Sequence, residues 1–376
     1  LGTVAVFGIG DLGGYLIRML AQRPEVSKLY ALDVDTARLE TEAADAAAMA
    51  SYFGRGPQVV PVAVDMRNEE AVAEVLNRLR PSVVVNTATL QSWWVITQLP
   101  ADLWRRLEEE ARFGPWLPMH LTLALKLMRA LKTSGLSVPV VNVSFPDTVN
   151  PVLARLGMAP TCGAGNSDLL RAGVRVVAAR RLKVPVEDVS VYMLAHHFHV
   201  VYYWMGLESV ASLAEHPYWL RVMVGDRDVT HELGAEQLLA EAGRALPKGR
   251  GIMARTAAST AEKVLHLLGD TGALTHAPGP SGQIGGYDVR LSRDGASIVL
   301  PQGVKPEQAT AWMEQAQRGD GVETILPDGS VVFTRQAIQA MQTLLGYHCP
   351  VLRPEECEDR ADELRQRLRQ LAAGRS

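Results

Sequence analysis

Asp168 and Arg171 stand three apart near the start of a segment with helical periodicity, so their side chains share one helix face. Downstream, Leu194-Ala-His-His-Phe-His199 brings His196, His197 and His199 together. Read as strand, that segment turns His197 and His199 to one side and His196 to the other. A carboxylate can hold an imidazole, a guanidinium can grip a carboxylate through two parallel hydrogen bonds, and a histidine can move a proton near neutral pH. Those are the parts needed to oxidise a hydroxy acid, provided something else takes the hydride.

The stretch Thr3–Asp35 could hold the hydride acceptor. Val4 to Phe7 is an apolar run that reads as a strand buried on both faces. Gly8, Gly10 and Gly13 follow in G-x-G-x-x-G spacing, with Ile9, Asp11 and Leu12 between them, and then a largely apolar helix. Gly8 permits the tight turn, Gly10 lets a pyrophosphate approach the backbone, and Gly13 lets the helix pack closely on the strand. The helix N-terminus offers unpaired N–H groups to phosphate. A second strand, Leu29 to Leu32, ends at Asp33, where a carboxylate would accept from a ribose diol and repel a 2′-phosphate. NAD is therefore expected over NADP. Thr87, Ala88 and Thr89, at the end of a later strand, are expected to line the same cofactor site.

These positions need a scaffold. Helical Thr36–Ala50, strand Gln58–Val64, helix Glu69–Leu79, strand Ser82–Asn86, helix Leu121–Leu131 and strand Val138–Val143 alternate as in a doubly wound parallel sheet. Phe145-Pro-Asp-Thr then turns the chain out of the sheet. The segment from Gln91 to Pro118 carries Trp93, Trp94, Trp104 and Trp116 and reads either as an active-site lid or as an extra helix packed by its tryptophans. The second half is mixed. It has a helix over Ser167–Arg181, a strand over Val189–His199 running on to Trp204, and a long helix over Ile252–Leu268. Strands Gly286–Leu291 and Ser297–Leu300, helices Pro306–Gln317 and Arg335–Leu345 around a hairpin turning at Asp328-Gly329, and a charged, solvated helix from Pro354 onward complete it. The expected division is a dinucleotide-binding domain over 1–157 and a substrate and oligomerisation domain over 158–376.

The chain resembles the lactate/malate dehydrogenase family. Asp168-Leu-Leu-Arg171 matches that family's D-x-x-R helix, and His197 falls in its histidine slot. Asp45, Lys248-Gly-Arg-Gly, Gly269-Asp-Thr and Gly285-Gly-Tyr-Asp-Val-Arg-Leu-Ser292 resemble further family segments more loosely. The resemblance implies a Rossmann domain followed by a mixed α+β domain, and NAD-dependent interconversion of a 2-hydroxy and a 2-oxo acid. By it His197 is the acid/base, Asp168 orients it, and Arg171 holds the substrate carboxylate. It also implies a homodimer or homotetramer. The departures are Phe145 where the family has a substrate-touching Asn, Phe198 where a Gly follows the histidine, and a rewritten mobile loop. In that loop Arg105, Arg106 or Arg112 could take the place of the family's substrate-polarising Arg, and Trp93 could line the substrate. A substrate bulkier than lactate or malate follows. Rival classes are a saccharopine- or opine-type dehydrogenase, a metal- and NAD-dependent family 4 glycosidase, and a non-catalytic NAD sensor. The glycosidase reading lacks its Cys-His pair, because Gly163 follows Cys162, and no metal site is expected.

Composition narrows the partners. A net charge of −3 gives no reason to expect nucleic acid or an anionic membrane. Cys162, Cys349 and Cys357 form no paired framework, which suits a reducing, cytoplasmic setting. No signal peptide is expected, and no apolar run reaches membrane-span length.

Overall fold

The computed structural model describes residues 2–54 and 56–373. The first half alternates β1 (Gly2–Phe7), α1 (Asp11–Leu20), β2 (Val26–Asp33), α2 (Thr36–Ser51), β3 (Gln58–Ala63), α3 (Glu69–Leu79) and β4 (Val83–Asn86). After the tryptophan-rich segment, which contains α4 (Ala101–Arg106), come α5 (Leu117–Ser134), β5 (Val140–Asn142), α6 (Pro146–Arg155) and β6 (Cys162–Gly163). All strand pairs are parallel, and the order is β3-β2-β1-β4-β5-β6. Val4 to Phe7 and Val83 to Val85 are fully buried, as strands covered by helices on both faces must be. The order reverses between β1 and β4, so the ligand crevice lies beyond their carboxyl ends. Here the α/β class and doubly wound topology match the sequence reading. The sixth strand lies beyond residue 157, the expected end of the first domain.

The second half follows as α7 (Ser167–Leu182), β7 (Val189–Leu194), α8 (His197–Trp204), β8 (Trp219–Val224), β9 (Arg227–Asp228), α9 (Thr230–Leu233), α10 (Ala235–Arg244) and α11 (Met253–Gly269). Then come β10 (Ala273–Pro278), β11 (Gly286–Ser292), β12 (Gly295–Ile298), α12 (Pro306–Gln317), β13 (Val322–Ile325), β14 (Val331–Phe333), α13 (Arg335–Leu345), β15 (Val351–Leu352) and α14 (Cys357–Ala373). Three small antiparallel sheets, β7-β8-β9, β10-β11-β12 and β13-β14-β15, make it a mixed α+β region. Among the described residues, no helix is long and apolar enough to cross a membrane.

Two expectations are corrected. The strand from Val189 stops at Leu194, and the histidines sit at the start of α8 instead. His196 is the N-cap: its ring accepts from the Phe198 N–H, while His199 Nδ1 accepts from the His196 N–H. Every residue of α8 is buried, and that tertiary burial overrides the β-propensity of Val-Val-Tyr-Tyr. The C-terminal helix is not simply solvated either. Cys357, Ala361, Leu364 and Leu368 repeat at helical spacing and bury a stripe facing α5. Residues 374–376 of the expected tail lie outside the described residues.

Candidate active site

A single cleft of about 510 Å³ runs along the carboxyl edge of the parallel sheet, a size typical of ligand clefts (~300–1,000 Å³). At its centre is the glycine turn. Gly8 has φ +91°, and a Cβ there would fall 2.5 Å from the Ala88 nitrogen. A Cβ on Gly13 would fall 2.0 Å from the Gly8 carbonyl oxygen, so α1 packs directly on the turn. Gly10 is different: a Cβ there would meet nothing within 4 Å, and the residue lines the cleft. It is also the N-cap of α1 and supplies no side chain to the first turn, whose N–H groups stay available to an anion.

The neighbours fix this turn. Asp33 Oδ2 accepts from the Ile9 N–H at 2.5 Å, and Oδ1 accepts from the Asp35 N–H at 3.0 Å. Each carboxylate oxygen keeps a second lone pair for a ligand. Thr87 Oγ1 donates to the Gly8 carbonyl at 2.5 Å. Of the residues expected to hold a cofactor, Gly8, Gly10, Asp11, Leu12, Asp33, Thr87, Ala88 and Thr89 line the cleft, whereas Ile9 and Gly13 support the turn from behind. Asp11 adds negative charge beside the glycine turn. Arg38 and Arg250 each meet its Oδ1 at 2.8 Å, and their pull outweighs burial to hold its carboxyl below the usual range.

The other end of the cleft lies beyond β5. Phe145 adopts a left-handed conformation, φ +44°, just before Pro146 opens α6, and this turns its ring toward His197 at 5.2 Å between centroids. Phe113 packs on the same imidazole at 5.0 Å. Trp93 and Trp94 close the side of the cleft, so the tryptophan-rich segment is a wall of it, while Trp116 is core.

His197 is the cleft histidine held by two carboxylates. Its Nδ1 lies 2.8 Å from Asp320 Oδ2, and its backbone N–H donates to Asp147 Oδ1 at 3.0 Å. An ionised Asp320 only accepts, so Nδ1 carries the proton and Nε2 is left for a ligand. Burial works against the imidazolium. The Asp320 carboxylate, with Asp147 adding, outweighs it and holds the His197 pKa above its ordinary value. Burial likewise opposes the Asp320 carboxylate, and His197 and His196 outweigh it to hold that group well below the usual carboxylate range. His120, across Phe113, is pushed down to about 3 by burial, with His197 adding, and is therefore neutral. Two cleft histidines with pKa values driven apart is the pattern of a site that assigns acid/base work to one of them.

Asp168 is not the partner of His197. Its Oδ1 accepts from Arg171 Nε at 3.0 Å, and its Oδ2 accepts from Ser259 at 2.7 Å and from the fully buried Lys263 at 2.6 Å. Neither Asp168 nor Arg171 lines the cleft; the face of α7 that does carries Asn166 and Leu169, also three apart. The D-x-x-R spacing is present but turned away from the cavity. Arg105 is exposed and pairs with Glu109 at 3.2 Å. Arg112 donates to the Val210 carbonyl at 3.3 Å and faces a small adjoining cavity that it shares with Glu108 and Asp320. Trp93 lines both cavities.

Sequence reasoning missed Asp320, Asp147 and Asn166. Asp147 was visible as the acid in Phe145-Pro-Asp-Thr, a turn at a strand's carboxyl end. Asn166 immediately precedes α7, donates to Asp147 Oδ2, and has a strained φ of +50°. Asp320 carried no signal, because its role depends on a pairing across more than a hundred residues.

No family model and no curated protein matches this chain. Solved structures do. A lactate dehydrogenase from a Medee basin deep-sea metagenome library matches with a TM-score of 0.60 at 15% identity, covering 85% of this chain and 96% of that one. The lactate dehydrogenase of Cryptosporidium parvum, solved with lactic acid and nicotinamide adenine dinucleotide, gives the same four values. The malate dehydrogenase of Picrophilus torridus matches with a TM-score of 0.60 at 16% identity over 85% and 96%. The chain has the fold of the lactate and malate dehydrogenases.

Proposed function

We propose that this protein is an NAD-dependent oxidoreductase that interconverts a hydroxyl and a carbonyl group. The observation that carries the reading is the His197–Asp320 pair, with Nε2 free of protein partners, in the same cleft as the Gly8-to-Gly13 turn. The residues fit a dinucleotide. Gly10 leaves open space above the uncapped first turn of α1, and Asp33 stands where a ribose diol would lie. Arg38, the nearest cation after β2, is engaged by Asp11, which favours NAD over its 2′-phosphorylated form. When bound, the dinucleotide supplies or accepts the hydride.

The chain's own residues handle the proton. In the reducing direction His197 Nε2 gives its proton to the carbonyl oxygen, and Asp320 keeps the imidazole in the required tautomer and stabilises its charged form. Asn166 has one amide N–H on Asp147 and a second available to the same oxygen. Phe113, Phe145, Trp93 and Trp94 exclude water from the reacting carbon and leave room for a body bulkier than lactate or malate. A 2-hydroxy acid is the substrate the fold likeness brings to mind. The geometry supports its hydroxyl chemistry but offers Arg171 no access to its carboxylate.

The test is direct. NADH should bind with fluorescence enhancement, and a panel of ketones, aldehydes and 2-oxo acids should include compounds that consume it, with NADPH at least tenfold weaker. Saturable NADH binding without turnover on any carbonyl compound would leave a binding protein instead of an enzyme.

A further inference from the structure

Apart from His197 itself, the walls at the reacting end of the cleft carry no cation among the described residues. Its walls are Phe113, Phe145, Leu169, Val200, Val201 and Trp204. The position on α7 that faces the cavity one helical turn after Asn166 is Leu169. The cations behind these walls do not enter the cleft: Arg112, next to Phe113, faces the adjoining cavity and donates to the Val210 carbonyl. Arg171 is held by Asp168, Lys248 donates to the Trp204 carbonyl, and Arg250 bonds Asp11. The cleft does include Arg67 and Arg365, but Arg67 follows β3 and pairs with Glu358 of α14 at 3.5 Å, and Arg365 lies about two turns further along α14. β3 and β5 are four positions apart in the sheet, roughly 19 Å at about 4.8 Å per strand.

Two carboxylates stand at the reacting end. Asp320 and Asp147 both bond His197, and Asp147 also accepts from Asn166. A carboxylate next to the reacting carbon would be desolvated against aromatic rings, with two carboxylates nearby and, among the described residues, no guanidinium in the walls at that end.

We infer that the substrate is uncharged at the reacting end: a ketone, or the matching secondary alcohol, flanked by apolar groups. This rests on the oxidoreductase reading and departs from the 2-hydroxy acids handled by enzymes of the same fold. In reduction the hydride forms the new C–H bond, the carbonyl π pair becomes the O–H bond with the proton of His197 Nε2, and NADH leaves as NAD⁺. His197 then regains a proton from solvent.

The experiment compares 2-octanone with 2-oxooctanoate, matched in length and differing in the carboxylate. With NADH the ketone should have the higher kcat/KM by at least tenfold. Leu169→Arg, which places a guanidinium on the cleft face of α7, should reverse the preference, and Leu169→Met should retain it. Tryptophan quenching by 2-octanol and by 2-hydroxyoctanoate, on the wild-type protein saturated with NADH, which cannot accept a hydride, reads the same preference without turnover. Tighter binding of the alcohol with no turnover of either carbonyl would uphold the substrate class and sink the oxidoreductase reading. Equal or tighter binding of the hydroxy acid, or faster turnover of the oxo acid, overturns the inference.

Discussion

Asp320→Asn is expected to lower kcat/KM for carbonyl reduction by roughly 100- to 10,000-fold, the range spanned by general acid–base catalysis, while NADH affinity stays the same. The side chain is isosteric, so packing around Gly319 and Phe198 should survive. What changes is the charge at 2.8 Å from Nδ1. The Asp320 carboxylate is the main influence raising the His197 pKa against the opposing effect of burial. Without it the imidazolium is lost at lower pH. Reduction needs protonated His197, so its rate falls as pH rises through that pKa, and in the variant the fall should move toward acid. Oxidation needs the neutral ring and should show the reverse slope, rising with pH. A variant with lower activity but an unmoved pH profile would mark Asp320 as structural only.

Asp168→Ala should destabilise the fold by about 3–5 kcal/mol, the usual cost of stranding a buried charge. Lys263 is fully buried, and its ammonium meets Asp168 at 2.6 Å, Glu262 at 2.5 Å and Thr275 at 3.3 Å. Removing Asp168 also frees Arg171. Burial opposes the Asp168 carboxylate, but Lys263 and then Arg171 outweigh it, so its folded pKa is lowered. Its contribution is therefore present above the ordinary carboxylate pKa and is lost as pH falls through the lowered value. Urea unfolding at neutral pH measures the loss. A midpoint equal to wild type would show that the cluster contributes nothing net. If Asp168 oriented His197, the variant would instead stay stable and lose activity.

The two halves of the site differ in how far they could be read from the chain. The dinucleotide half is local. Gly8, Gly10, Gly13 and Asp33 lie on consecutive elements, and each is dictated by backbone space or hydrogen bonding over short range. The acid/base half is not. His197 could be singled out as a histidine among apolar residues, but its partner arrives from the loop after α12. The D-x-x-R spacing misled because a three-residue interval fixes which residues share a face, not where that face points. The structure turns Asn166 and Leu169 into the cleft and Asp168 onto Lys263, with Arg171 held by Asp168. The segment after Leu194 misled in another way. Its β-branched and aromatic residues suit a strand, yet full burial on all sides makes α8 the better solution. The stripe Cys357, Ala361, Leu364, Leu368 was legible by periodicity and was outweighed by the charge around it.

The central claim is that His197, in a dinucleotide cleft, moves the proton of a carbonyl reduction. It is tested by the rate of NADH loss in His197→Asn against wild type, on whichever carbonyl compound the wild-type protein reduces fastest. The account predicts a fall of at least 100-fold, with NADH binding unchanged. Turnover within a few-fold of wild type would contradict it.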